Sequence, residues 1–275
     1  MTKKRKSLAT ITANKRAKLT DNSYANINQS LIMAPVHQLS LHDLIYEYTQ
    51  DPSPKNYLQL LQAISANGEN LAEQYDSNGL TPLHVAAAFK AKFLIKIMLG
   101  CGVSIDSLDE KGNTCLHQVI KAGELNFATK LLKLGASVQY KDKDENTPLH
   151  LLASSKGETA SLAKQLLMSG ADVDAKNSQL NTALHEAVIS NNVQMVKVLL
   201  NWKANVLTVN KADLTPLQLA LKLADDRIDK NDHEIVHLLF ERQRQIYQIS
   251  VPASDNFAET TTTLHSSLST LAPGL

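Results

Sequence analysis

The chain has little of what builds covalently stapled or metal-centred folds. Two cysteines, Cys101 and Cys115, stand among 275 residues. That is too few for a disulfide framework or a zinc cluster, and it fits a reducing compartment. Aromatic residues make up 5% of the chain and there is one tryptophan. A single large core would call for more, whereas stacked repeats do not. No apolar run approaches the roughly 18 residues of a membrane span. The N-terminus is basic with no apolar stretch behind it, which argues against a secretory signal peptide. No Gly-rich phosphate loop and no convincing Ser/His/Asp constellation is present. Acid is missing from residues 1–20, which hold Lys3, Lys4, Arg5, Lys6, Lys15, Arg16 and Lys18. Beyond those seven, 21 basic residues face 27 acids, a net of −6. An acidic body with a basic tip speaks against direct nucleic-acid binding by that body.

What is present is a period. The tetrads Thr81-Pro82-Leu83-His84, Thr114-Cys115-Leu116-His117, Thr147-Pro148-Leu149-His150, Thr182-Ala183-Leu184-His185 and Thr215-Pro216-Leu217-Gln218 start 33, 33, 35 and 33 residues apart. Each opens a short helix: threonine is an N-cap residue, and Pro82, Pro148 and Pro216 take the first helical position, where a missing N–H is no loss. A second, longer helix follows, with pairs such as Leu131-Leu132, Leu166-Leu167 and Leu199-Leu200. Gly102, Gly135 and Gly170 are placed to end it in the left-handed conformation. The period divides residues 76–247 into units 76–108, 109–141, 142–176, 177–209 and 210–247. Residues 39–75 read as a helical cap without the tetrad. Ser40 and Asp43 form a capping-box-like start, the first cap helix buries Leu41, Leu44, Ile45 and Tyr48, and a second helix from about Lys55 to Ala66 presents Leu58, Leu61 and Ile64. Residues 1–38 and 248–275 are polar, sparse in hydrophobics and expected to be disordered.

The pattern D-x-x-G-x-T-P-L-H-x-A-A … L-L-x-x-G-A-D-V, from Asp76 to about Arg242, resembles the ankyrin repeat. The resemblance implies an all-α solenoid of helix–turn–helix units with short β-turn fingers. It further implies a concave surface of fingers and inner helices that binds a protein, and no enzymatic activity or cofactor. The family leaves certain positions exposed and variable: four, three and one residues before each tetrad threonine, seven and eight after it, and a further position twenty after it. Among them Leu80, Phe89, Lys111, Lys121, Asp144, Asn146, Ser154, Ser155, Gln179, Ile189, Trp202 and Lys222 are the candidate partner-binding residues. Phe89, Ile189 and Trp202 are the expected anchors, and Lys121 and Lys222 add positive charge. Departures from the pattern are also visible. Glu145, Leu180 and Asp213 replace the finger glycine, so irregular fingers are expected there. Lys203 replaces the glycine that ends an outer helix, so a different turn is expected. The third unit has two extra residues near Ser154–Thr159. The fifth has about six, in Asp225–Asp232, read as a longer connection.

Three groups look like chemistry. His233-Glu234-Ile235-Val236-His237 matches the H-E-x-x-H signature of zinc proteases. In phase with its siblings, however, it is an outer helix whose Ile235-Val236 and Leu238-Leu239 fall on core positions. No metal is expected there. The recurrent His84, His117, His150 and His185 are expected to be structural, bonded to threonine or backbone and to the next unit. Cys115 occupies a proline slot and has no evident activating partner.

The chain therefore reads as a non-enzymatic adaptor, expected to be monomeric, with one protein partner on its concave face. The spacing of Lys3-Lys4 and Lys15-Arg16-Ala17-Lys18 looks like a bipartite nuclear-import signal, which implies an import receptor as second partner and a nuclear and cytosolic location in a eukaryotic cell. The alternative is a solvated basic tail. The Lys/Asn/Gln-rich composition and polar C-terminal tail resemble ankyrin effectors that intracellular bacteria inject into host cells through a type IV system. A further alternative is similarity to the ankyrin inhibitors of Rel-type transcription factors.

Overall fold

The computed structural model describes residues 39–67, 74–226 and 230–247. The basic tail with its import motif and the C-terminal tail lie outside the described residues. The described chain is all-helical, with twelve helices: α1 (Leu41–Gln50), α2 (Pro54–Asn67), α3 (Pro82–Ala88), α4 (Lys92–Gly100), α5 (Cys115–Lys121), α6 (Leu125–Leu132), α7 (Pro148–Ser154), α8 (Ala160–Met168), α9 (Ala183–Ile189), α10 (Val193–Asn201), α11 (Pro216–Asp226) and α12 (Lys230–Tyr247). The odd-numbered helices pack on one another in sequence as an inner layer, and α6, α8, α10 and α12 do so as an outer layer. One continuous core runs between the layers from Leu41 to Leu239. Ala86, Ala87, Ala128, Ala153, Ala163 and Ala187 are fully buried in it and let neighbouring helices approach closely.

Helix starts follow local chemistry. Ser40 caps α1: its Oγ accepts from the Asp43 N–H at 3.2 Å, and Asp43 Oδ2 accepts from the Ser40 N–H at 3.1 Å. In α2 the buried pair is Leu60 and Ile64, one turn apart, with Leu58 and Leu61 only half-buried. The expected stripe through Leu58 and Leu61 is therefore corrected. Both choices fit helical spacing, and the packing against α1 selects this one.

The fingers are regular throughout. In each, an Asp or Asn five residues before the tetrad threonine accepts from two backbone N–H groups. Asp109 Oδ1 takes those of Lys111 and Asn113 at 2.9 and 2.7 Å, Asp142 Oδ1 takes those of Asp144 and Asn146, and Asn177 and Asn210 repeat the arrangement. The same backbone bonds close every finger, including the N–H of Gly79, Gly112, Glu145, Leu180 and Asp213 to the carbonyl three residues back. Glu145, Leu180 and Asp213 adopt the left-handed conformation with φ of 58°, 56° and 55°. The expected irregularity is absent. A left-handed non-glycine residue costs on the order of 1 kcal/mol, which the finger's own hydrogen bonds offset. Lys203 is corrected in the same way. At φ 62° it ends α10 as glycine ends its siblings, with the Ala204 N–H donating to the Leu199 carbonyl at 3.0 Å.

The insertions resolve differently from each other. In the third unit they lengthen the connection, residues 155–159. Asn192 of the next unit pins it through the Ser155 carbonyl and Thr159 Oγ1, both at 3.2 Å. In the fifth unit much of the extra chain is helical: α11 has 11 residues where α3, α5, α7 and α9 have 7, and α12 has 18. The expected longer connection is corrected to longer helices.

Candidate functional site

Any binding surface on this fold depends first on how the units are joined. The tetrad histidines do this. Each Nδ1 lies 2.7–2.9 Å from the hydroxyl of its own tetrad threonine. In the second, third and fourth units the threonine N–H also donates to Nδ1. Nδ1 is thus an acceptor, and Nε2 carries the proton. It donates across the junction to the carbonyl just before the next threonine: His84 to Asn113 at 2.9 Å, His117 to Asn146 at 3.2 Å, His150 to Asn181 at 3.0 Å and His185 to Leu214 at 3.1 Å. Burial holds all four imidazoles below the ordinary range, against the raising effect of those carbonyls. They are neutral at pH 7, as this donor–acceptor pattern requires.

The cap makes the same junction from a different sequence position. His42 Nε2 donates to the Leu80 carbonyl at 2.9 Å, the equivalent acceptor of the first unit. Sequence reasoning missed it, because His42 stands two residues after its helix cap and not three; a histidine near the start of an inner helix was the available signal. At the other end, Gln218 Oε1 accepts from the Thr215 N–H at 2.9 Å, and its side chain is exposed.

Several candidate partner-binding residues belong to this scaffold. Lys121 Nζ donates to Asn113 Oδ1 at 2.7 Å and to the buried Asp142 carboxylate at 2.9 Å, bridging two fingers. Burial pushes the Asp142 carboxyl up, but Lys121 and the N–H groups of Asn146 and Asp144 outweigh it and hold it below the usual range. Asn146 is half-buried, its carbonyl receives His117, and its Oδ1 accepts from Asn177 at 2.9 Å. That bond belongs to a polar ladder through Asn177, Glu186, Asn181 and Asn210. Leu80 is half-buried against the core. Ser154 and Ser155 both donate to the Leu151 carbonyl and finish α7.

The remaining candidates face solvent. Lys111, Asp144 and Gln179 stand on successive fingers; Phe89, Ile189 and Lys222 are carried by inner helices or their ends. The three expected anchors do not form one patch. Phe89 stacks edge-on against Tyr46 of α1, with ring centroids 5.6 Å apart. Ile189 is three units away, roughly 30 Å at the spacing of packed helices. Trp202, 40% exposed, caps α10 in the outer layer and is set apart from both.

Ile235 and Val236 are buried while His233 and His237 face solvent, and Glu234 pairs with Lys197 of α10 at 2.6 Å. No group of three metal-ligating side chains occurs among the described residues. Cys115 is buried, and burial pushes its thiol up, away from a reactive thiolate. No described helix is long and apolar enough to cross a membrane.

The comparisons agree with this geometry. A family model for ankyrin repeats (3 copies) matches residues 53–142, 88–177, 128–210 and 149–250. The chain is similar to a putative ankyrin repeat protein, FPV031, of Fowlpox virus, 27% identical over 214 residues, covering 75% of this chain and 49% of the relative. It is also similar to the probable 26S proteasome regulatory subunit p28 of Saccharomyces cerevisiae, 32% identical over 87 residues, 31% of this chain and 38% of that protein. An L-asparaginase of Dirofilaria immitis is 33% identical over 166 residues, 60% of this chain but 28% of that protein. The chain thus spans about half the length of the viral relative and less of the others. With family models covering residues 53–250 and the same histidine junction between successive units, the chain belongs to the ankyrin-repeat family.

Proposed function

We propose that this chain is a non-enzymatic adaptor that presents the finger and inner-helix surface to one protein partner. The observation that carries the reading is a division of labour within each unit. Positions that recur are buried and bonded to the next unit. Exposed positions on the fingers and inner helices differ from unit to unit: Lys111, Asp144 and Gln179 at equivalent finger tips, with Ile189 and Lys222 beside the later ones. A surface of graded chemistry on a rigid frame suits recognition of one extended protein face.

The chain acts, on this proposal, as a monomer in the cytosol and nucleus of a eukaryotic cell. Lys3, Lys4, Arg5, Lys6, Lys15, Arg16 and Lys18 engage an import receptor. Origin as an effector delivered into a host cell by a bacterial type IV system rests on composition, and on the C-terminal tail as the translocation signal. Affinity purification from nuclear and cytosolic fractions, with and without residues 1–20, tests the reading. The expected result is one partner retained in both forms and nuclear recovery only with the tail. Recovery of the same proteins by a variant altered at Lys111, Asp144, Gln179, Ile189 and Lys222 would overturn the assigned surface. A C-terminal deletion that still enters host cells would remove the translocation role.

A further inference from the structure

The first repeat leaves uncovered what its siblings do not. At the second position of the outer helix, the second, third and fourth repeats carry Asn126, Ser161 and Gln194, all exposed. The first carries Phe93, 55% exposed. At the inner-helix end, Ala122, Ser155 and Ser190 correspond to Phe89, which is 40% exposed. Three repeats stack without a ring at either place, so stacking does not require these rings. They are also not isolated. Phe93 meets Tyr57 of α2 at 6.1 Å between centroids, Tyr57 meets Tyr48 at 5.8 Å, and Phe89 meets Tyr46. The helices α2 and α4 are not among the closely packed pairs, so these rings span the space between the cap and the first repeat.

The stretches that carry Tyr57, Phe89 and Phe93 hold lysines and no acid, whereas Glu47 lies between Tyr46 and Tyr48 on α1 and Glu124 reaches Lys90. No acidic residue occurs between Asp51 and Glu69, or between Asp76 and Asp106, while Lys90, Lys92 and Lys96 fall within the second interval. Lys96 is one helical turn from Phe93 and Lys92 precedes it. Lys90 is held by Glu124 at 2.6 Å. Neither Lys92 nor Lys96 has an ion-pair partner among the described residues.

We propose that this face docks an acidic segment of another protein that carries an apolar side chain among its carboxylates. The apolar side chain seats on Phe93 and Tyr57, and the carboxylates meet Lys92 and Lys96. Aromatic anchors with desolvated flanking charges are where interface energy concentrates. A short acidic segment senses only the local lysines, because charge is screened beyond about 8–10 Å. An extended polyanion or an anionic bilayer would also meet the net −6 of the chain beyond residue 20. The docking residues Tyr57, Lys92, Phe93 and Lys96 lie on α2 and α4, and none belongs to the set Lys111, Asp144, Gln179, Ile189 and Lys222, so each can be tested without the other.

The test is fluorescence anisotropy with the full chain and three short synthetic peptides. One alternates Glu with Leu and Phe, one replaces each Glu by Lys, and one replaces Leu and Phe by Ser. Only the first is expected to bind, and more weakly as salt rises from about 50 to about 300 mM. Phe93→Asn, which installs the residue of the second repeat, should weaken it at least about tenfold while lowering the thermal midpoint by no more than about 4 °C. The pair Lys92→Glu and Lys96→Glu should do the same. Absence of binding by the wild-type chain, equal binding of the Lys or Ser peptide, or undiminished binding by Phe93→Asn overturns the proposal. So does binding to phosphatidylserine vesicles, in place of the acidic peptide, that Phe93→Asn abolishes.

Discussion

The junctions between units and the surface they expose obey opposite rules. At five junctions one bond is made five times, from a histidine Nε2 to the carbonyl ahead of the next unit, by His42, His84, His117, His150 and His185. On the exposed fingers Lys111, Asp144 and Gln179 share a neighbourhood and little else. Recurrence in this chain marks what each unit needs in order to stack, and the absence of recurrence marks residues released from that need. Lys121 and Lys111 are both exposed lysines of the second unit, yet Lys121 bridges two fingers while Lys111 has no ion-pair partner among the described residues.

Breaking a central junction should have the largest effect. His117→Ala leaves the Asn146 carbonyl without its donor and opens a small cavity, for a loss of about 3 kcal/mol in urea unfolding. Acid should act on four junctions together. Their imidazoles titrate below the ordinary value of about 6.5, so the unfolded chain binds more protons as pH falls. Stability is fully present above about pH 6.5 and is lost as pH drops through that value towards the lower folded values. Urea midpoints between pH 7.5 and 5 measure the loss. His150→Gln, which can still accept from its threonine as Gln218 does, should flatten that dependence. A midpoint that rises on acidification would contradict the neutral-imidazole assignment.

The two lysines sharpen the comparison. Lys121→Met strips the buried Asp142 carboxylate of its cation and should cost about 1–2 kcal/mol, whereas Lys111→Glu should stay within about 0.5 kcal/mol. A smaller effect of opposite sign is expected at Lys203, where Lys203→Gly relieves the left-handed strain and should stabilise by up to about 1 kcal/mol. Equal effects at Lys121 and Lys111 would erase the distinction between bridging and exposed residues.

Much of the scaffold is legible in the sequence because it repeats. The tetrads, the outer leucines and the turn glycines each appear often enough to be read in phase. What escapes is set by contacts between units. The register of α2, with Leu60 and Ile64 buried, depends on its packing against α1, and both stripes satisfy helical spacing. The regular fingers at Glu145, Leu180 and Asp213 depend on Asp142, Asn177 and Asn210, whose side chains hold the turn whatever residue takes the left-handed position. His42 is shifted by one place from the tetrad pattern, so alignment passes over it. Trp202 and Asn146 look alike as exposed, variable positions, but one caps an outer helix and the other sits in a hydrogen-bonded ladder. Phe93 was readable only by comparing the second position of each outer helix, which family-level expectations about the concave face do not prompt.

The most direct test of the division between scaffold and recognition is partner recovery by a chain altered at Lys111, Asp144, Gln179 and Lys222 together, with its urea midpoint measured on the same preparation. The account predicts an unchanged midpoint, within about 0.5 kcal/mol, and loss of the partner that the wild-type chain recovers. A partner retained by that variant, or a midpoint that falls as far as in His117→Ala, would contradict it.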